Sequence, residues 1–180
     1  MKGTANAMNN TITAKSIFLR NFAKSDLRDL HDYSSQVGVG QSAGWPHHES
    51  LGQSAKMLND FIKNKNQFAI VYKTDHKVIG HIGIHEDSEN GRPDTKELGY
   101  VLNRNYWNRG IMTEAINAVL EKLFSNGIQY VYACCFQDNL ASKHLIEKCG
   151  FEFEQEGTYY AEPLDKTFRT FEYVYTRSCL

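Results

Sequence analysis

A chain of 180 residues, 41% apolar and 23% charged, has room for one domain with a substantial core. Its formal net charge of -1 gives no electrostatic case for nucleic acid or an anionic membrane. No apolar run approaches the roughly eighteen residues of a membrane span and the N-terminus has no signal-like apolar core, so a cytoplasmic location is expected.

Residues 1–14, MKGTANAMNNTITA, are small and polar without periodicity and are expected to be flexible, with a single domain over 15–180. The first strand is read over 16–20, then a helix capped by Ser25 with Leu27, Leu30 and Tyr33 inward. Gly38 and Gly40 open a loop through Gly44-Trp45-Pro46. Ser50 and Gln53 make a capping box for a second helix, whose inward face is Leu51, Ala55, Leu58 and Ile62. Strands over 68–72, 77–85 and 96–102 read as an antiparallel meander. A third helix carries Ile111, Ala115, Val119, Leu120 and Leu123 on a broad apolar face and ends at Asn126-Gly127. An apolar strand over 128–136, a helix over 139–148 closed by Gly150, and a hairpin of 151–160 with 168–175 complete the chain. The order is β-α-α-β-β-β-α-β-α-β-β, an α/β (α+β) chain.

Cysteines 134, 135, 149 and 179 have neither CxxC spacing nor a histidine pattern for zinc, and reduced thiols are expected. One of Cys134 and Cys135 should pack as a small hydrophobe, while Cys179 in the tail should be reactive by exposure. His47 and His48 are neighbours whose side chains diverge, so they are expected to be solvated. No metal is expected.

The stretch from Glu97 to Ala115, ELGYVLNRNYWNRGIMTEA, carries the chemistry. A strand passes through a polar turn into a helix whose N-terminus is approached through Gly110. The first helical N–H groups have no intrahelical partner, and together with the macrodipole they suit a phosphate. The phosphate loop G-x-x-x-x-G-K-[ST] of nucleotide-binding proteins does not occur.

This stretch resembles the acyl-CoA pyrophosphate loop of the GNAT N-acetyltransferases, Q/R-x-x-G-x-G/A, with Trp107 in the first position and Met112 in the last. ELGYVL and YWNRGIMTEA are closer to the ribosomal-protein N-terminal acetyltransferase (RimJ/RimL-like) branch, which often reads E-I-G-Y-x-L and Y-W-G-K-G-Y-A-T-E-A. Asn139-Leu140-Ala141-Ser142 with Glu147-Lys148-Cys149-Gly150-Phe151 resembles the same branch's N-x-x-S and E-K-x-G-F. The resemblance covers about residues 15–177 and implies a GNAT-type fold: a mixed, mostly antiparallel central sheet flanked by helices, with two central strands splayed around the pantetheine arm of acetyl-CoA.

It also implies roles. Pantetheine would pair with the backbone of Tyr100, Val101 and Leu102, and the pyrophosphate would rest on the amides of Asn108, Arg109, Gly110, Ile111, Met112 and Thr113. The Arg109 charge and the Thr113 hydroxyl are possible additions to that contact. Asn139, otherwise a plain N-cap, would contact pantetheine. The tyrosine that many GNAT enzymes place seven residues later is replaced by Ile146, leaving Ser142 as the first candidate to hydrogen-bond the departing thiolate, with Tyr130, Tyr132 and Tyr159 as alternatives. Glu97, otherwise a solvent-facing strand residue, would accept the proton of the attacking amine, directly or through a water. A bulge in its strand would change the face on which it emerges.

The implied activity is acetyl transfer from acetyl-CoA to a primary amine by direct attack in a ternary complex. A protein N-terminus or a small amine is the acceptor, and the protein is a monomer or homodimer. The rival reading is a CoA-binding sensor or scaffold without turnover. The loop over 36–49 and the hairpin tip over 159–166 are expected to wall the acceptor site.

Overall fold

The computed structural model describes residues 11–88 and 91–177. Alternating apolar residues put Ile17 and Leu19 of β2 (Ile17–Asn21) into the core, and β2 pairs antiparallel with the two-residue β1 (Ile12–Thr13). The segment expected to be flexible up to residue 14 is therefore paired from Ile12 onward, through Ile12 opposite Leu19 and Thr13 opposite Phe18. Residues 1–10, like Cys179, lie outside the described residues.

Two helices follow, α1 (Leu27–Ser34) and α2 (Leu51–Asn64). Ser25 does not cap the first. A short 3-10 turn, Lys24–Asp26, precedes α1, and Asp26 accepts from the Ala23 N–H at 2.8 Å while pairing with Arg20. That two-pronged carboxylate takes the role assigned to the serine. In α2 the capping box is present, with the Gln53 N–H on Ser50 Oγ at 3.4 Å and the Gln53 amide oxygen on the Ser50 N–H. Its inward face is rotated from the expected one. Leu51, at the first helical position, is exposed, while Ser54 and Leu58 are buried with Met57, Phe61 and Ile62 packed beside them.

The meander is β3 (Gln67–Tyr72), β4 (Lys77–Glu86) and β5 (Thr95–Leu102), each antiparallel to the last. The β4–β5 register runs without a shift from Gly80 opposite Leu102 to Glu86 opposite Lys96, so β5 has no bulge there. Plain alternation therefore decides which face carries Glu97. Next come α3 (Ile111–Ser125), β6 (Tyr130–Phe136), α4 (Leu140–Lys148), β7 (Glu152–Ala161) and β8 (Lys166–Thr176).

Among the described residues the eight strands form one sheet in the order β1-β2-β3-β4-β5-β6-β8-β7, with β8 lying between β6 and β7. One face buries Ile70, Ile82, Leu98 and Val131 against Ile111, Ile116 and Val119 of α3 and Ile146 of α4. The other buries Ala69, Val71, Val78 and Val101 under Leu30, Tyr33 and Leu58 of α1 and α2. No helix among the described residues is long and apolar enough to cross a membrane.

Candidate active site

The sheet opens in its middle. Strands β5 and β6 are the parallel pair, and they stay paired only from Thr95 opposite Tyr130 to Leu98 opposite Ala133. Beyond that, residues 99–102 pair only with β4, and Cys134 to Phe136 pair only with β8. A cavity of about 720 Å³ occupies the divergence, lined by both strands and by the N-termini of α3 and α4.

Backbone alternation determines which β5 groups face this slot. The Asn103 N–H donates to Ile79 O on the β4 side at 2.8 Å, so Val101 also turns its main-chain groups to β4, and Tyr100 and Leu102 turn theirs to the slot. Val101 is thereby removed from the expected pantetheine partners, although it lines the cavity. The Leu102 carbonyl is already engaged, accepting from the Trp107 indole N–H at 2.7 Å. Trp107, in the position where the family motif has Gln or Arg, is thus a brace between the loop and the end of β5.

The N-terminus of α3 is left bare. Asn108 and Gly110 both have positive φ, 59° and 74°, and Gly110 caps the helix without any side-chain bond. The first helical bond runs from the Glu114 N–H to Gly110 O, and the amides of residues 108–113 have no protein acceptor among the described residues. A Cβ on Gly110 would meet nothing within 4 Å, so the space before these donors is open. Arg109 is exposed with its guanidinium 5.1 Å from the Tyr106 ring, and Tyr106 donates its hydroxyl to Asp75. Met112 is buried in the core and offers the slot only its amide. Thr113 lines the slot, with the Cys149 thiol near enough for its side chain to bear on the thiol's pKa. An anion with several oxygens, such as a pyrophosphate, fits this terminus.

The N-terminus of α4 is built the opposite way. Asn139 Oδ1 accepts from the Ser142 N–H at 3.1 Å, so the asparagine is an N-cap. That bond fixes the turn carrying Ser142, whose Oγ is 2.8 Å from the Tyr100 hydroxyl. Ile146 is fully buried and does not line the cavity. Of the alternative tyrosines only Tyr159 lines the slot, while Tyr130 lies under Arg92 and Tyr132 reaches Glu154 at 3.4 Å. Sequence reasoning included Tyr100 for its backbone and missed its side chain.

On the opposite sheet face, Glu97 lines the cavity and its Oε1 accepts from the Ser88 N–H at 2.8 Å and the Ser88 hydroxyl at 2.6 Å. His85, directly across from it on β4, is a second residue the sequence reading missed. Its ring lies over the Gly83–Gly99 pair, where a Cβ on Gly83 would come within 2.5 Å of Nε2. Burial pushes the imidazole below its ordinary pKa against the pull of Glu97, which keeps the ring neutral at neutral pH. Asn66 Nδ2 lies 3.4 Å from Nδ1 and Gln67 Nε2 lies 3.2 Å from Nε2, yet a neutral ring cannot accept at both nitrogens. Rotating the Gln67 amide gives its buried, otherwise unpartnered Oε1 to the ring N–H.

Val39, Ser42 and Ala43 of the 36–49 loop reach the cavity, as does Tyr159 from the hairpin tip. His48 is not solvated: its ring lies tilted against Trp45, centroids 5.2 Å apart, and shares the buried Ser54 hydroxyl with His31, both at 2.8 Å. Cys134 faces the slot and is exposed, but its surroundings strip water from the sulfur, and that with the Glu172 and Glu97 charges pushes its thiol up to about 11. Cys135 and Cys149 are buried and likewise pushed up to about 11, so all three are free, protonated thiols. No group of three or more metal-ligating side chains occurs among the described residues.

A splayed mixed sheet with a bare helix N-terminus at the slot is the architecture of an acyl-CoA-dependent transferase. The family model "Acetyltransferase (GNAT) domain" matches residues 16–152. This chain belongs to the GNAT acetyltransferase family. It is 32% identical over 151 residues to the uncharacterised N-acetyltransferase p20 of Bacillus licheniformis, covering 80% of this chain and 83% of that one. It is 28% identical over 146 residues to the uncharacterised N-acetyltransferase YnaD of Bacillus subtilis, covering 79% and 83%. A GNAT-family acetyltransferase from Bacillus anthracis superposes with a TM-score of 0.80 at 22% identity over 92% of this chain and 98% of that one. The microcin C7 self-immunity acetyltransferase MccE, in complex with acetyl-CoA and AMP, gives 0.76 at 22% over 90% and 93%. The ribosomal-protein-S5-alanine acetyltransferase of Vibrio fischeri gives 0.67 at 20% over 90% and 94%.

Proposed function

We propose that this acetyltransferase moves the acetyl group of acetyl-CoA to a primary amine by direct attack in a ternary complex. The observation that carries this reading is the convergence on one slot of six unpartnered amides at α3, the Ser142 hydroxyl at α4 and the Glu97 carboxylate from the opposite face. The amides of residues 108–113 hold the pyrophosphate, with Arg109 beside them, and the slot-facing backbone of Tyr100 and the Leu102 N–H pair with pantetheine. Asn139 Nδ2, which its capping bond does not use, reaches a pantetheine amide. Oε1 of Glu97 is held by Ser88, so Oε2 is the atom that receives the amine's proton. Ser142 hydrogen-bonds the leaving sulfur.

The motifs ELGYVL and YWNRGIMTEA, with the likeness to the Vibrio fischeri enzyme, support a RimJ/RimL-like assignment in which a protein N-terminal amine leads and a small amine follows. The same reading has the enzyme working in the cytoplasm, as a monomer or homodimer. The test is transfer from labelled acetyl-CoA to a panel of N-terminal peptides and small amines, with thiol release followed in parallel. Glu97→Gln should lower the rate at neutral pH by about 10²–10⁴-fold, and the deficit should shrink as pH approaches the amine's own pKa. A protein that binds acetyl-CoA and releases no thiol above background with any amine is a CoA-binding sensor instead. A Glu97→Gln deficit that does not recover with pH makes Glu97 an anchor and not a base.

A further inference from the structure

We propose that Tyr100 is the positioning residue for Ser142, its phenol donating to Ser142 Oγ so that the serine's own proton is aimed at the departing sulfur. The inference rests on the acetyl-transfer reading. The two oxygens are 2.8 Å apart, and either could donate. The phenol is the more acidic of the two hydroxyls and so the better donor. The Asn139 cap fixes the Ser142 backbone, and Tyr100 packs against the apolar face that holds α3 and α4. Burial raises the phenol well above its ordinary pKa, so Tyr100 stays protonated and always has a hydrogen to give. Once Ser142 Oγ accepts that hydrogen, its own O–H is left to find another acceptor, and the slot is the open direction.

The same burial limits what the pair can do. Passing a full proton from Ser142 to sulfur would need Tyr100 to replace it and become a buried phenolate, which its surroundings oppose. The chain is therefore a pair of hydrogen-bond donors and not a proton source. In the transfer the amine nitrogen bonds to the thioester carbonyl carbon, the C–S bond breaks and its electron pair stays on sulfur. The amine's proton goes to Glu97 or water. Coenzyme A leaves as a thiolate held by the Ser142 O–H and takes its proton from solvent on release. A tyrosine from β5 thus stands where Ile146 of α4 cannot serve.

A double-mutant cycle tests this. Tyr100→Phe keeps the ring and removes one hydrogen bond, and Ser142→Ala removes the donor itself. Each should lower kcat by about tenfold, with acetyl-CoA binding by calorimetry within about twofold of wild type. The double variant should be no slower than Ser142→Ala alone, because Tyr100 acts only through the serine. Multiplying losses, an unchanged kcat in Tyr100→Phe, or a kcat loss matched by weaker binding would each overturn the proposal. A second readout does not need turnover: the thiol of bound coenzyme A, titrated by its ultraviolet thiolate absorbance. Its pKa should lie below that of the free thiol and rise by about one unit in both Tyr100→Phe and Ser142→Ala. A bound thiol that titrates alike in wild type and Tyr100→Phe removes the tyrosine from the site. If the wild type acetylates no amine, the acetyl-transfer reading fails while the titration still decides Tyr100.

Discussion

Two helix N-termini meet at the same slot, and the chain finishes them in opposite ways. At α3 the cap is a glycine with φ of 74°, no side chain answers the first amides, and the space in front of them is open. At α4 the cap is Asn139, which closes the terminus and fixes Ser142 within reach of Tyr100. Exposed donors without partners are what a multiply charged ligand requires, whereas a hydroxyl that must meet one sulfur atom needs a fixed turn. On the proposed reading, the same local element serves binding where it is unfinished and chemistry where it is finished.

The largest effect that can break this contrast is acid, because it attacks the sheet carrying both termini. His81 is buried against Tyr33, Phe22 and Phe61, and loss of hydration, with a smaller contribution from the His85 charge, lowers it from 6.5 to about 3. The unfolded chain binds that proton below about pH 6.5 and the folded chain does not. Stability is therefore fully present above pH 6.5 and is lost as pH falls toward 3, at up to about 1.4 kcal/mol per pH unit. The lowered His48 acts in the same direction. Urea midpoints between pH 7 and 4 should fall accordingly, and a flat profile would mean that His81 is hydrated.

Gly110→Asp comes next. It places a carboxylate in the open space before the amides and should weaken coenzyme A binding at least tenfold, about 1.4 kcal/mol, in calorimetry on folded protein. Unchanged affinity would mean that the phosphates rest elsewhere.

Asn139 separates capping from contact with the ligand. Asn139→Ala should cost about 1 kcal/mol of stability through the lost cap and lower kcat by loosening Ser142. Asn139→Asp keeps the capping oxygen while removing the Nδ2 donor, so it should retain stability and lose affinity for acetyl-CoA. An Asn139→Asp variant that binds acetyl-CoA as tightly as wild type would leave Asn139 a cap alone. The smallest expected effect is that of Gly110→Ala. Its methyl meets no atom, so the left-handed φ is the only strain and coenzyme A affinity should fall no more than about threefold. A loss as large as that of Gly110→Asp would show that backbone shape, not open space, decides binding there.

What the sequence made legible follows the range of the interactions involved. The Ser50–Gln53 box, the α3 stripe and the glycine before it are written within a few residues and stand as read. The splay of β5 and β6 has no local signal; it is implied only by the resemblance to the GNAT family, and the short β5–β6 pairing agrees with it. Where distant partners intervene, local rules gave way. Ser25 lost its capping role because Arg20 and the Ala23 N–H recruit Asp26, and His48 is buried because Trp45 and Ser54 enclose it. Tyr100 and Ser142 are 42 residues apart, and no periodicity relates them. Glu114, in the first turn of α3, ties that helix to the residue before β2 by accepting from the Ser16 N–H and hydroxyl at 2.6 and 2.5 Å, a contact across 98 residues.

The central claim, that one slot holds the donor between a bare and a capped helix end, is tested most directly by a crystal structure with acetyl-CoA bound. Pyrophosphate oxygens should lie within hydrogen-bond distance of the amides of residues 108–113, pantetheine should pair with the Tyr100 backbone, and the thioester sulfur should sit beside Ser142 Oγ. A pyrophosphate away from α3, or a sulfur out of reach of Ser142, would contradict it.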